Sequence, residues 1–343
     1  MVNFPSSLKA YVFNRDRSER PPSILRGLLT TLLATCAIVA SPALKAQEWP
    51  TKPIRLVVAF PAGGFGDVVA RTAQTHLVQA LGQPVVIDNR GGAGGNVAAA
   101  EVVRATDSHT FLLTASTTES VNPFIYPRMP FDVQTDLKHV AVMAKLQSFL
   151  FARPNFPASN LNEFVNEARR SQKMNYGSAG TGTNLHLAGE LLAKAARFNV
   201  THVPYKGAAA AIQDVAAGQV DFAFGPATVM PLVQSGKLKL FGVASKTRSA
   251  SYPDIPTFAE LGYPSVQVDS YFVVYAPSST TPAAIRRFGA EINRVLERAD
   301  IKSRFAELGA VAMPVSIDET KRLVQEETRT FADILRNANI KPD

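Results

Sequence analysis

The sequence predicts an α/β protein of two lobes, each a mainly parallel sheet flanked by helices. Three observations lead there. A chain of 343 residues exceeds what one hydrophobic core usually serves. Short apolar segments alternate with glycine-rich turns and helical periodicity, the pattern of parallel strands joined by helical crossovers. The pattern starts afresh after Pro154, which requires a second sheet rather than an extension of the first.

The first 46 residues read as a secretory signal. Arg15, Arg17, Arg20 and Arg26 precede an uncharged stretch from Gly27 to Ala40, after which Pro42 and small residues lead to a cleavage point at Ala46. Thr30, Thr31, Thr35 and Ser41-Pro42 interrupt the stretch, which falls short of the roughly 20 solidly apolar residues of a membrane span. Leu33-Ala34-Thr35-Cys36 carries Thr where a lipoprotein box expects Gly or Ala, so a lipid anchor is the lesser reading. Cys36 is the only cysteine, and the mature chain would have neither a disulfide nor a thiol nucleophile. Cleavage removes six basic and two acidic groups, lowering the formal charge from +8 to +4. With no dense Lys/Arg stripe interleaved with aromatics, nucleic acid is excluded as a partner.

Ile54 to Phe60 is a strand suited to burial on both faces. A turn at Pro61-Ala62-Gly63-Gly64 follows, then a helix opened by Asp67 with Val69, Ala70, Ala73, Leu77 and Leu81 on one face, stopped at Gly82. Strand Val85 to Ile87, the turn Arg90 to Asn96, a helix from Val97 to Ala105 and strand Thr110 to Thr114 repeat the arrangement. The second series comprises helix Leu161 to Arg170, strand Met174 to Gly177, turn Ser178 to Thr183 and helix Asn184 to Arg197. It continues with strand Val200 to Val203, helix Ala208 to Ala217, and strands Val220 to Phe224 and Lys239 to Ala244. Strand Tyr271 to Ala276 and helices Pro282 to Arg298, Ile301 to Leu308 and Asp318 to Asn337 close the chain. A first sheet without helical cover would be unstable, so these last helices are expected to return to it. The lobes would then be 47–147 with 271–343, and 148–270.

The glycine turns fail the nucleotide fingerprints. Gly64-x-Gly66, Gly92-x-Gly94 and Gly180-x-Gly182 are followed by Val69, Val97 and Leu185 where a third glycine is needed, and no G-x-x-x-x-G-K-[ST] occurs. What remains is backbone N–H groups at helix N-termini, where the helix dipole favours an anion such as a carboxylate. Asp67 could meet a ligand or cap its helix. Ser116 and Thr117 lie at the carboxyl edge of a strand, where open α/β sheets bind ligands, or simply form the turn. His186 could face the cleft or be a satisfied helix histidine, and Lys206 could attract an anion or be solvated. No catalytic group emerges: Gly177-Ser178-Ala179-Gly180 is out of register for G-x-S-x-G, and the five histidines form no H-E-x-x-H. Neither metal nor cofactor is called for, and the chain is expected to act as a monomer.

Five ordered motifs then carry a resemblance: Trp49-Pro50-Thr51-Lys52-Pro53-Ile54-Arg55, Phe60-Pro61-Ala62-Gly63-Gly64-x-x-Asp67, Asn89 through Asn96, Val203-Pro204-Tyr205-Lys206-Gly207, and Pro253-Asp254-Ile255-Pro256-Thr257. Over roughly Trp49 to Ile340 the chain resembles the periplasmic substrate-binding component of tripartite tricarboxylate transporters, the Bug family. The resemblance implies a two-lobed periplasmic-binding-protein fold of the Venus-flytrap type (type II), closing over a small carboxylate for a membrane transporter, or for a membrane sensor using the same cleft. Carried onto this sequence, the family's ligand loops are Phe60 to Asp67 (with Gly64, Phe65 and Gly66), Ser116 and Thr117, Gly180, Thr181, Gly182 and Thr183 with His186, Tyr205, Lys206 and Gly207, and Gly225. Phe65-Gly66 stands where the family commonly has a small residue and Thr, and Gly225-Pro226 where Asp-Asn is frequent. Both departures make the cleft less polar and favour an aromatic or otherwise apolar-bodied acid over citrate.

Overall fold

The computed structural model describes residues 48–171 and 173–338; the signal segment and Cys36 lie outside them. Among the described residues no helix is long and apolar enough to cross a membrane. The elements run β1 (Ile54–Val58), α1 (Phe65–Leu81), β2 (Val85–Asn89), α2 (Asn96–Val102), β3 (Thr110–Ala115), α3 (Thr117–Ser120), α4 (Asn122–Ile125), α5 (Val133–Asp136) and β4 (Leu137–Leu146). Then follow β5 (Phe149–Ala152), α6 (Leu161–Arg170), β6 (Asn175–Ser178), α7 (Asn184–Ala196), β7 (Thr201–Pro204), α8 (Ala208–Ala216), β8 (Phe222–Gly225), α9 (Met230–Gln234) and β9 (Lys239–Val243). β10 (Ser270–Pro277), α10 (Pro282–Leu296), α11 (Ala299–Glu307), β11 (Ala310–Ala312) and α12 (Ile317–Ala338) complete the chain.

Two sheets result, of order β11-β4-β10-β3-β1-β2 and β7-β6-β8-β5-β9. The two-lobed α/β architecture is as expected, but in strand direction the sheets are mixed. In the first, β1 runs parallel to β2 and β3, while β10 is antiparallel to both β3 and β4. In the second, β6 runs parallel to β7 and β8, while β5 is antiparallel to β8 and β9. The cause is connectivity. β4 ends at Leu146 and β5 begins at Phe149, paired with Gly225 and Val243 at the carboxyl ends of β8 and β9. A link that short spans at most about 11 Å, so the carboxyl edge of one sheet must face that of the other, and the crossing strand enters its new sheet backwards. β10 repeats this on the return, Ser270 pairing with Leu146 and Phe272 with Ala115. The cleft follows from this placement.

Alternation along β1 distributes its side chains between two layers. Ile54, Leu56 and Val58 join Phe288 and Ile292 of α10 and Phe305 of α11, while Val57 packs with Ala98 and Ala99 of α2 and Val324 of α12. The second sheet buries Phe222 and Phe224 against Phe164 of α6 and Leu187 and Leu192 of α7. Asn160 caps α6 by accepting the Glu163 N–H at 2.9 Å, and Glu163 accepts the Ser159 N–H in return at 2.7 Å. α12 bridges the two bodies: Val324 packs with the first sheet, whereas Phe331 and Leu335, together with Val121 and Ile125, join the core of the second.

Candidate functional site

The facing carboxyl edges enclose two cavities that meet at Phe60, Ala179 and Lys206. One, of about 340 Å³, lies between the turn Pro61 to Gly66 and the opening of α8. The other, of about 320 Å³, lies between Gly92 to Gly95 and Gly180-Thr181, with Tyr126 and Tyr205 on its walls.

The larger cavity receives two helix N-termini. α1 starts at Gly64, whose N–H donates to Pro61 O at 3.0 Å and whose carbonyl accepts the first helical bond from Val68. No side chain caps it, so the first-turn N–H groups have no intrahelical acceptor. α8 starts in the same way from Gly207, again without a side-chain cap, and Gly207 to Ala210 line the same cavity. Both helix dipoles therefore point positive ends into one space. α7 differs, because Thr183 Oγ1 accepts the His186 N–H at 3.4 Å and donates to Gly180 O at 2.7 Å.

The far wall is aromatic. Phe272 of β10 meets Phe65 edge-on at 4.8 Å and Phe60 at 5.8 Å between ring centroids, and Val229 and Ala208 to Ala210 line the same cavity. Lys206, exposed at the junction of the two cavities, is the only Lys or Arg lining them among the described residues.

Of the residues singled out in the sequence, Phe60, Gly64, Phe65, Gly66, Thr183, Lys206 and Gly207 line the larger cavity, and Phe60, Gly180, Thr181, Tyr205 and Lys206 the smaller. Asp67, Ser116, Thr117, Gly182, His186 and Gly225 line neither. Asp67 is buried behind its turn, accepting the Gly63 N–H and the Arg71 guanidinium at 2.9 Å. Burial works against its charge, but these bonds outweigh it and hold the carboxyl below the usual range. Ser116 Oγ donates to Glu327 on α12 at 2.8 Å. Thr117 Oγ1 is buried without a hydrogen-bond partner.

His186 stacks on His202 at 4.0 Å, and its Nδ1 accepts the Gly182 N–H at 3.1 Å. Burial, with His202 alongside, pulls its pKa down to about 3, so it is neutral at ordinary pH and holds the 180–183 turn in shape. Gly225 leaves room for Ile212 of α8, which a Cβ there would approach to 3.1 Å; its neighbour Pro226 lines the cavity instead. Tyr205 donates its hydroxyl to Asp214 at 2.5 Å, and burial together with that carboxylate pushes its pKa up to about 12.

The ligand loops read from the sequence did not include Tyr126, Ala208 to Ala210 or Phe272, nor Gly92 to Gly95, a turn weighed with the other two but not carried over, nor Pro226, noted only as a departure beside Gly225. Ala208 to Ala210 were open to the argument used for Gly64, since a glycine followed by alanines also starts a helix without a cap. Phe272 gave no local signal.

The family of tripartite tricarboxylate transporter receptors matches residues 69–340. BugT of Bordetella pertussis is 32% identical over 322 residues, covering 92% of this chain and 98% of that protein. Two solved structures superpose closely: R. palustris Rpa4515 with adipate (29% identity, TM-score 0.83, 86% of this chain and 100% of that one) and MatC of Rhodopseudomonas palustris with bound malate (30% identity, TM-score 0.79, 84% of this chain and 100% of that one). The periplasmic binding protein BugD is similar as well (28% identity, TM-score 0.81, 86% of this chain and 100% of that one), and the chain belongs to the Bug family of tripartite tricarboxylate transporter receptors, solute-binding proteins rather than enzymes.

Proposed function

We propose that the protein captures a small carboxylate with an apolar, preferably aromatic, body between its lobes and presents it to the membrane subunits of a tripartite tricarboxylate-type transporter. One observation carries this reading: two helix N-termini without side-chain caps open into a single cavity whose lining includes the rings of Phe60, Phe65 and Phe272. The N–H groups take the acid and the rings take the rest. Charge-assisted bonds contribute about 1.5–3 kcal/mol each, so four or five supply the roughly 8 kcal/mol of micromolar binding after ordering costs. No arginine is needed. Adipate in Rpa4515 and malate in MatC support a carboxylate ligand.

The lobes are 47–147 with 271–343, and 148–270, with α12 bridging them. The protein acts as a monomer. Export removes residues 1–46, so N-terminal sequencing of the periplasmic protein should begin at Gln47; retention of the basic segment would contradict this. Calorimetry on ligand-free protein should show micromolar binding of an aromatic monocarboxylate and weak or no binding of citrate. Tight citrate binding with no response to aromatic acids would overturn the reading.

A further inference from the structure

We infer that Phe272 is the specificity-determining residue of the cleft, setting a preference for a planar aromatic ring over a saturated ring of the same size. The inference rests on the carboxylate reading and names the class of body that goes with the acid. Phe272 is the centre of the aromatic wall: it touches both Phe65 and Phe60, and at 5% exposure it is fixed by the core behind it. The two half-buried rings thus lean on an immobile one. Gly66 belongs to the same device. A Cβ there would stand 3.1 Å from Phe272 Cε1 and 3.4 Å from Phe60 Cδ2, so the absence of a side chain lets both rings close over the start of α1.

The wall therefore ends beside the N–H groups that receive the acid, and a ligand ring attached directly to its carboxylate would lie against it. Ring quadrupoles favour offset-stacked or edge-to-face contacts between aromatic rings. A saturated ring offers no such complement and is thicker. If apolar volume alone decided binding, the more hydrophobic saturated acid would bind more tightly. An aromatic wall reverses that order.

The probes are benzoate and cyclohexanecarboxylate, titrated calorimetrically into the mature protein. Wild type should bind benzoate about tenfold more tightly, the equivalent of about 1.4 kcal/mol. Phe272→Leu, which keeps the site apolar, should bring the two acids within about twofold by weakening benzoate. Gly66→Ala, which displaces the rings from the helix side, should reduce the preference in the same direction and serves if Phe272→Leu does not fold. A wild-type preference that survives in both variants would overturn the role of Phe272 while leaving the carboxylate reading intact. Equal binding of the two acids by wild type would do the same. Failure of wild type to bind either acid would overturn both.

Discussion

Gly64→Val is expected to abolish ligand binding while leaving the fold standing. The backbone at Gly64 is extended, with φ −72° and ψ 166°, so the objection to a side chain is space rather than conformation. A Cβ there would sit 2.9 Å from the Pro61 carbonyl oxygen, the acceptor of the Gly64 N–H itself. Backbone cannot step aside as a side-chain tip can, so the turn must open and the first N–H groups of α1 lose their aim. Branching at Val also places methyl groups at the cavity wall. If the acid depends on both helix N-termini, losing one set of charge-assisted bonds costs about 3 kcal/mol or more, at least a hundredfold in Kd. The core beneath is untouched, since Val69, Ala70 and Ala73 of α1 keep their contacts with β1. Thermal unfolding should shift by a few degrees while calorimetric heats vanish. Unchanged affinity would make the turn purely structural.

That turn was legible because its signal is local: an apolar strand, two glycines, then helical periodicity. α6 was legible for the same reason, its ends marked by Asn160 and by Arg169-Arg170. β4 was not read. Its centre, Val140 to Ala144, mixes Ala and Met with Val, and it becomes a strand because β10 and β11 flank it. Strand direction was equally hidden, since the reversal of β5 and β10 comes from where the chain crosses between sheets. In the cleft, Phe65 and Gly66 stood out as departures from a family pattern, but their partner Phe272 is an ordinary strand residue until the sheet places it there. The alternatives at Asp67 and His186 also needed coordinates, because only geometry shows that Arg71 and Gly63 engage the one and Gly182 the other.

Glu327 should make the protein lose stability as pH rises from about 5 to about 8, and Glu327→Gln should remove most of that loss. The carboxyl is buried on α12, its two oxygens 2.8 Å from Ser116 Oγ and Ser120 Oγ; while protonated it donates to one serine and accepts from the other. Burial pushes it up to about 8; the two serines pull the other way without prevailing, and Glu119 and Asp269 push further in the direction of burial. The folded protein therefore keeps this proton over a range in which an unfolded chain, with a carboxyl near 4.5, has lost it. With more protons bound in the folded state, stability falls as pH rises; the contribution is whole below the unfolded pKa and gone once pH passes the folded one. The loss is on the order of 4 kcal/mol. Glutamine keeps the shape, donates to one serine and accepts from the other, and cannot ionise. Urea unfolding should therefore find the variant within about 1 kcal/mol of wild type at pH 5 and about 2–4 kcal/mol more stable at pH 8. Parallel profiles would mean that Glu327 does not carry the dependence. The position gives the effect its reach: Ser116 also accepts the Tyr271 N–H at 3.2 Å where β10 enters the first sheet, and Phe331, four residues beyond Glu327, sits in the core of the second.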